Sequence, residues 1–315
     1  MHVSVVTPFY NSADTLSRCI ESVLEQSHGD FEYVLADNCS TDGSGAIAGS
    51  YAARDSRIRY VAPDAHVAQG ANYNRALRLM SPRATYCKIV QADDVLLPRC
   101  LERMLALAER HPRVGVVSSH RLIDEVVEDA GAGRLPEAIP GPEVCRRTLR
   151  GEVYAFGSPT TVMYRADLVR ARPEFYRKDA FFDDLDATID VLLESDFGFV
   201  PEVLTQTTRD PDSTLGRVLS YDIDVLYRHL TLHRMGDALF EPDELAALKH
   251  ETSATYYQRL VRAFLKRPDR LRYFRFHAEV LRKSAGMSIS LGRLARAMSS
   301  LGRRQVRKRF GLLPT

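Results

Sequence analysis

The chain has no apolar stretch approaching the roughly 20 residues needed to cross a bilayer, and its N-terminus enters an apolar strand at once. Neither a spanning helix nor a targeting segment is expected. Cysteine is sparse: Cys19, Cys39, Cys87, Cys100 and Cys145 are odd in number and scattered, without metal-ligand spacing. That usage suits a reducing compartment, so cytoplasmic residence is expected. There is no internal repeat and no low-complexity tract. Residues 7–15 lack the glycine-rich, basic phosphate loop that a nucleotidyltransferase would carry early. No nucleic-acid-binding module is recognisable either, so nucleic acid is not an expected partner.

What is present is the composition of a globular protein, 45% hydrophobic and 27% charged over 315 residues, enough for a main domain plus an appendage. The formal charge of +2 hides a sharp division. Residues 259–315 hold 16 Lys and Arg against Asp269 and Glu279, a net of +14, while residues 1–258 carry 27 basic and 39 acidic side chains, a net of −12. An acidic body facing a phosphate backbone would be repelled by it, whereas the basic end is a surface of a different kind.

Apolar runs and helical patterns alternate through the first hundred residues. His2–Thr7 and Phe31–Ala36 read as strands, and between them Leu16, Cys19, Ile20, Val23 and Leu24 recur at helical spacing. Arg57–Ala62 reads as a third strand, a helix opens near Gln69, and Tyr86–Val90 reads as a fourth strand. The alternation predicts an α/β fold, a mostly parallel Rossmann-type sheet with helices on both faces. Loops at the carboxyl ends of such strands bind ligands. The fourth strand runs into Gln91-Ala92-Asp93-Asp94, adjacent carboxylates of the sort that hold magnesium or manganese together with substrate phosphates. An N-cap or a solvated turn would use the same residues.

Four segments in order carry a resemblance. VSVVTPFYN, LADNCSTDGS, GANYNRAL and KIVQADDVLLP, spread over residues 3–98, are similar to the opening strand and donor loop, second-strand signature, third signature and Asp-x-Asp motif of the family 2 glycosyltransferases. These are inverting nucleotide-sugar enzymes of the GT-A fold. The resemblance covers residues 1–213 and implies a catalytic domain there, with residues 214–315 as a helical C-terminal region. It implies a donor site of Pro8, Tyr10, Asn11, Asp37, Asn38, Gly70, Asn74, Gln91, Ala92, Asp93 and Arg209. Pro8 and Tyr10 would line the base pocket, Asp37 would accept from the base or a sugar hydroxyl, and Asp93, with Asp94 beside it, would hold Mn2+ or Mg2+. Gln91 replaces the first aspartate of Asp-x-Asp, and Asn38-Cys39 replaces Asp-Gly. Gln accepts a hydrogen bond but adds no charge, so the anions at this turn are Asp93 and Asp94. Asp42 has the composition of a helix cap.

An inverting transfer needs a base on the acceptor side. Phe181-Phe182-Asp183-Asp184-Leu185-Asp186, ahead of a helical run over 187–193, resembles the family's Glu-Asp motif, with Asp183 in the glutamate position and Asp184 in that of the catalytic aspartate. Three acids in four positions raise one another's pKa, which leaves the base open among them. A helix N-terminus enriched in acids would look the same. The Gly-Ser-Pro-Thr-Thr segment after Phe156 starts a short strand and belongs, by resemblance, near donor sugar and acceptor. Residues 197–200 and 203–207 read as a strand pair, and Glu128–Pro142 as a mobile loop.

The function implied is metal-dependent, inverting transfer of a sugar from a nucleoside diphosphate to an acceptor hydroxyl on a carbohydrate or lipid-linked glycoconjugate. A non-catalytic nucleotide-sugar binder is the alternative, with a nucleotidyltransferase behind it. Downstream, helical spacing over 217–235, 243–265, from Pro268 and over 287–301 gives basic amphipathic helices ending in an Arg-rich run, 303–309. They suit the anionic surface of a membrane's inner face, or packing on the catalytic domain or within a homodimer.

Overall fold

The computed structural model of the chain describes residues 1–128, 131–177, 181–208, 216 and 220–309, with side chains as far as residue 301. Two compact units divide it: Met1–Lys178 with Asp183–Asp210, and Asp179–Phe182 with Pro211–Thr315.

In the first unit β1 (Val3–Phe9), β2 (Phe31–Asp37), β3 (Ile58–Val61) and β4 (Tyr86–Ile89) pair in parallel, in the spatial order β3-β2-β1-β4. Every residue of β1 is buried, as expected of a central parallel strand covered on both faces. Pro8 is tolerated there because β4 pairs only with Val3–Val6, so the residue without an N–H lies past the end of that ladder. The connecting helices are α1 (Ala13–Leu24), α2 (Ser44–Ala52) and α3 (Gln69–Arg78). Leu16, Cys19, Ile20 and Val23 form the buried stripe of α1 at the spacing read from the sequence.

After β4 come β5 (Val95–Leu96), α4 (Cys100–Arg110), β6 (Val114–Ile123), β7 (Val126–Glu128), β8 (Ala138–Pro140), α5 (Gly141–Arg150), β9 (Met163–Arg165), α6 (Ala166–Arg170), α7 (Asp183–Leu192) and β10 (Asp196–Thr207). The sheet continues β4-β9-β6-β10-β5, with β9 antiparallel to both neighbours and β10 parallel to β6. The parallel character thus holds for the first four strands, and the far half is mixed.

Three local expectations are corrected. Residues 197–207 are one strand rather than two, because the irregularity around Pro201 is absorbed as register shifts against β6 instead of a reversal. Part of the Gly-, Pro- and Ala-rich stretch expected as a mobile loop is ordered: Ala138, Ile139 and Pro140 pair antiparallel with β10, burying Ile139. Helix α7 begins at Asp183, four residues earlier than its apolar periodicity suggests, since the acids form its first turn.

The second unit holds α8 (Ile223–Met235), α9 (Pro242–Lys266), α10 (Arg270–Ala285) and α11 (Leu291–Arg309). Its core joins Leu226, Leu230, Leu260 and Leu281 to an aromatic cluster of His229, Tyr256, Tyr273 and His277. No helix among the described residues is long and apolar enough to cross a membrane.

Candidate active site

The loops after β1 and β2 are built by polar side chains that satisfy each other's backbones. Asn11 takes a left-handed conformation (φ 48), one that Asn adopts more readily than most residues. Its N–H donates to Ser40 Oγ (3.0 Å), and its Oδ1 accepts from Thr41 N–H (2.9 Å). Asp42 accepts from the N–H of Ala13 (2.9 Å) and of Ser44 (3.0 Å), so one carboxylate serves the first residues of both α1 and α2. The Ser44 hydroxyl, then these N–H groups, hold its pKa below the ordinary range.

Asp37 is buried beneath this pair of loops. One oxygen accepts from the N–H and hydroxyl of Ser40 (2.9 and 2.6 Å), the other from the Tyr60 hydroxyl (3.1 Å). Asn38 exchanges two hydrogen bonds with the backbone of Val67 (2.8 and 3.0 Å), and Asn74 exchanges two with Tyr176 (2.7 and 2.8 Å). A buried amide needs both its donor and its acceptor paired. The side chains of Asn38 and Asn74 are therefore used to anchor loops. Tyr10 is 48% exposed, its ring edge-on to His66 at 4.8 Å between centroids.

At the end of β4 the turn Gln91–Asp94 is closed by Asp94 N–H to Gln91 O (3.0 Å). Gln91 N–H donates to Thr160 Oγ1 (3.0 Å), Cys19 Sγ approaches Gln91 O (3.4 Å), and Arg18 donates to the carbonyl of Asp93 (3.2 Å). The two aspartates differ. Asp93 is partly exposed, whereas Asp94 is 1% exposed and neither of its carboxylate oxygens has a hydrogen-bond partner among the described residues. Burial pushes Asp94 up to about 6, opposed by the nearby hydroxyls of Thr160 and Thr207 and the charge of Arg121.

The turn 157–161 adjoins this one. Gly157 has φ +67, and a Cβ there would lie 2.6 Å from Thr161, so both conformation and space require glycine. Lys88, wholly buried in β4, donates to the carbonyls of Thr160 and Val162 (3.2 Å for the latter). Burial lowers its pKa. The sequence reading passes over Lys88 and includes Thr160 only as part of the Gly-Ser-Pro-Thr-Thr segment. The signal was a lone lysine inside an otherwise apolar strand, a residue type rarely buried without a task.

Phe156–Pro159, Tyr164, Leu185 and Thr188 line a small pocket with Asp184. Asp183 accepts from Asp184 N–H (3.0 Å) and Asp184 from Leu185 N–H (2.8 Å), so the acids cap their own helix. Burial, then the charge of Asp184, raises Asp183 to about 7. Burial raises Asp184 to about 6, partly offset by backbone N–H groups and Arg121. Gly70, at the start of α3, approaches closely: a Cβ there would stand 3.2 Å from Asp183 Oδ2.

The fold therefore brings Gln91, Asp93 and Asp94 beside the Thr160 turn, and that turn beside Asp184, with Arg121 influencing both acid groups. Ala92 is buried within its turn. Arg209 lies outside the described residues. Among those residues no group of three or more His, Cys, Asp and Glu side chains can cage a metal ion. A cation held by one carboxylate and completed by a diphosphate fits the donor set, because magnesium and manganese are commonly bound that way. Asp94, next to Asp93 in the turn, adds negative charge there when ionised.

The sequence profile of Glycosyl transferase family 2 matches residues 4–172. A putative glycosyltransferase EpsE of Bacillus subtilis is 31% identical over 226 residues, covering 70% of this chain and 78% of its own. In fold, the chain is similar to S. aureus TarS 1–349 in complex with UDP-GlcNAc, at a TM-score of 0.62 and 17% identity over 95% of this chain and 88% of that one. It is also similar to the mannosyltransferase PcManGT of Pyrobaculum calidifontis in complex with GDP-Man and Mn2+, at a TM-score of 0.53 and 17% identity over 95% and 79%. With more than half its length matched by the profile, the chain belongs to glycosyltransferase family 2.

Proposed function

We propose that the protein transfers a sugar from a nucleoside diphosphate donor to an acceptor hydroxyl with inversion, that residues 1–213 carry the reaction, and that Asp184 is the general base. The observation that carries this reading is that one turn meets both acid groups: Thr160 accepts from Gln91 N–H in the turn that holds Asp93 and Asp94, and Phe156–Pro159 line a pocket with Asp184. A base must be charged yet willing to take a proton near neutral pH, and a carboxylate raised to about 6 meets both demands.

In this reading the exposed Tyr10, with His66, offers the base an aromatic wall, and the Asp37 loop shapes the nucleoside end. Pro8, buried near the end of β1, and Gly70, beside Asp183, would border the donor, and Arg209 would add a cation for the diphosphate. Asp93 would hold Mn2+ or Mg2+, with Asp94 supporting it from below. A bound cation would neutralise charge developing on the leaving diphosphate. Asp184 takes the acceptor proton as the hydroxyl attacks, and the pocket of Phe156, Pro159 and Tyr164 limits water around that oxygen. A uridine nucleotide is the first candidate because the TarS structure holds one, and the acceptor would be a carbohydrate or lipid-linked glycoconjugate. The basic C-terminal helices would keep a cytoplasmic enzyme at the inner face of a membrane.

The test is to incubate purified protein and Mn2+ with UDP- and GDP-sugars, measuring nucleotide binding and slow donor hydrolysis, and then anomeric configuration once an acceptor is found. Hydrolysis abolished in Asp184→Asn supports the reading. Binding without any turnover would leave a nucleotide-sugar binder, and retention of configuration would remove the inverting mechanism.

A further inference from the structure

The second unit exposes large apolar side chains where α9 meets α10. Phe264 is 52% exposed, Leu265 67% and Leu271 82%. These are high values for side chains whose burial each contributes substantially to folding. They flank a connection of three residues, 267–269, between the two helices. Phe264 meets Phe274 edge-on at 5.9 Å, and Arg270 lies over its ring at 5.7 Å, so the aromatic ring is held in place.

The charge around this corner is predominantly positive, and Asp222, which accepts from the Tyr273 hydroxyl of α10, is paired with Arg259 (2.7 Å). Between Glu251 and Glu279 the only acid is Asp269, and Arg267 is already paired with it (2.9 Å). Arg262, Lys266, Arg270, Arg272 and Arg275 are all exposed nearby. On α11, Leu291 and Met298 are exposed as well, beside Arg293 and Arg296. Exposed leucine and phenylalanine ringed by arginine and lysine match a bilayer boundary: apolar tips enter the acyl region while cations meet anionic headgroups.

We infer that the α9–α10 corner, with Leu265 and Leu271 as its inserting tips, is a docking surface for an anionic phospholipid bilayer. A lipid surface satisfies a helix-turn-helix tip of this chemistry, since it needs only depth and negative charge, whereas a protein partner needs a fitted apolar socket. The inference is independent of the Arg-rich stretch beyond residue 301, and of which sugar is transferred.

The sequence contains no tryptophan, so a Leu265→Trp variant carries a single reporter. With full-length protein and vesicles of phosphatidylcholine and phosphatidylserine at low salt, the expected result is a blue-shifted emission quenched by brominated acyl chains. Pure phosphatidylcholine vesicles should give neither change. Leu265→Ser with Leu271→Ser should lower vesicle affinity by about tenfold or more while nucleotide binding stays unchanged. Sedimentation with vesicles without quenching would overturn the inference, leaving adsorption through the tail. So would loss of binding on deleting 287–315 with no effect of the double serine variant. A change in oligomeric state in the serine variant without a change in vesicle binding would reassign the corner to a second copy of the chain. Because nucleotide binding is read in parallel, failure here leaves the transferase reading standing, and the reverse also holds.

Discussion

The two units bury different titratable groups, carboxylates near the candidate site of the first and imidazoles in the core of the second. In the first, burial raises carboxylates, to about 6 for Asp94 and Asp184 and about 7 for Asp183, and so brings them to where they can exchange protons in a neutral solution. In the second, burial lowers His229 to about 3 and His277 to about 4, which takes both imidazoles out of the neutral range. Desolvation penalises charge of either sign, so it moves these carboxylates toward neutral pH and these imidazoles away from it. In the helical unit the buried imidazoles pack among Tyr256 and Tyr273.

The sharpest way to break this contrast is at Asp184. Asp184→Asn keeps size and much of the hydrogen bonding but removes proton acceptance, so transfer should fall by about 10²- to 10⁴-fold with donor affinity near that of the unsubstituted enzyme. Wild-type activity should rise with pH along a limb near 6 to 7, since the base works ionised and its folded-state pKa is raised. The limb belongs to the coupled Asp183–Asp184 pair. Arg121→Gln, removing a cation that favours the charged form, should move that limb to higher pH. Near-normal turnover in Asp184→Asn with an inactive Asp183→Asn would shift the base by one residue.

Next in size is Asp93. Asp93→Ala should weaken UDP binding in the presence of Mn2+ by about 10- to 100-fold, the range that even supporting groups at metal sites command. Isothermal titration with and without Mn2+ checks it. Equal affinities under all four conditions would remove the metal from the donor site.

How these residues became legible differs between the acid groups. Asp93, Asp94, Asp183 and Asp184 could be found from sequence because their positions follow from strand ends and a short motif. The four parallel strands were legible for the same reason: apolar runs at βαβ intervals imply parallel pairing, though not the spatial order β3-β2-β1-β4. The far half of the sheet was not, since β10 crosses Pro201 without reversing and β8 is three residues long. Lys88 was missed, and Thr160 was read only as part of its segment, because their roles arise from contacts more than 65 residues apart in the chain. The anchoring of Asn38 and Asn74 was equally invisible, as a motif records the residue type and not which partner satisfies it.

Thr160 tests that missed link. Thr160→Val keeps the shape but removes the acceptor for Gln91 N–H, a loss worth about two- to tenfold in rate if the Gln91–Asp94 turn is held less firmly. Thr160→Ser should restore the rate. If serine and valine variants behave alike under Mn2+-saturated single-turnover conditions, the turn does not depend on that hydroxyl.

The smallest effect at neutral pH belongs to the helical unit, where the expectation is none at all until acid is added. Both histidines have folded-state pKa values below the ordinary 6.5, chiefly through burial, with His233 and Arg293 adding to the depression at His229. Around His277, Arg267 acts in the same direction, while Asp222 and a hydrogen bond with the Tyr221 backbone oppose it. As pH falls below 6.5 the unfolded chain takes up protons that the folded unit refuses, so stability is complete above 6.5 and is lost progressively toward pH 3 to 4. At pH 5 the loss is on the order of 2 kcal/mol for each imidazole. Amide exchange across α8, α9 and α10 of the whole chain, corrected for intrinsic rates, should therefore show less protection at pH 5 than at pH 7.5. His229→Phe should weaken that dependence without lowering stability at pH 7.5, because neither ring nitrogen of His229 has a hydrogen-bond partner to lose among the described residues and the ring stacks on Tyr256 at 4.8 Å. Equal protection at the two pH values would mean that the imidazoles reach water when protonated, and the contrast between the two units would then rest on the acids alone.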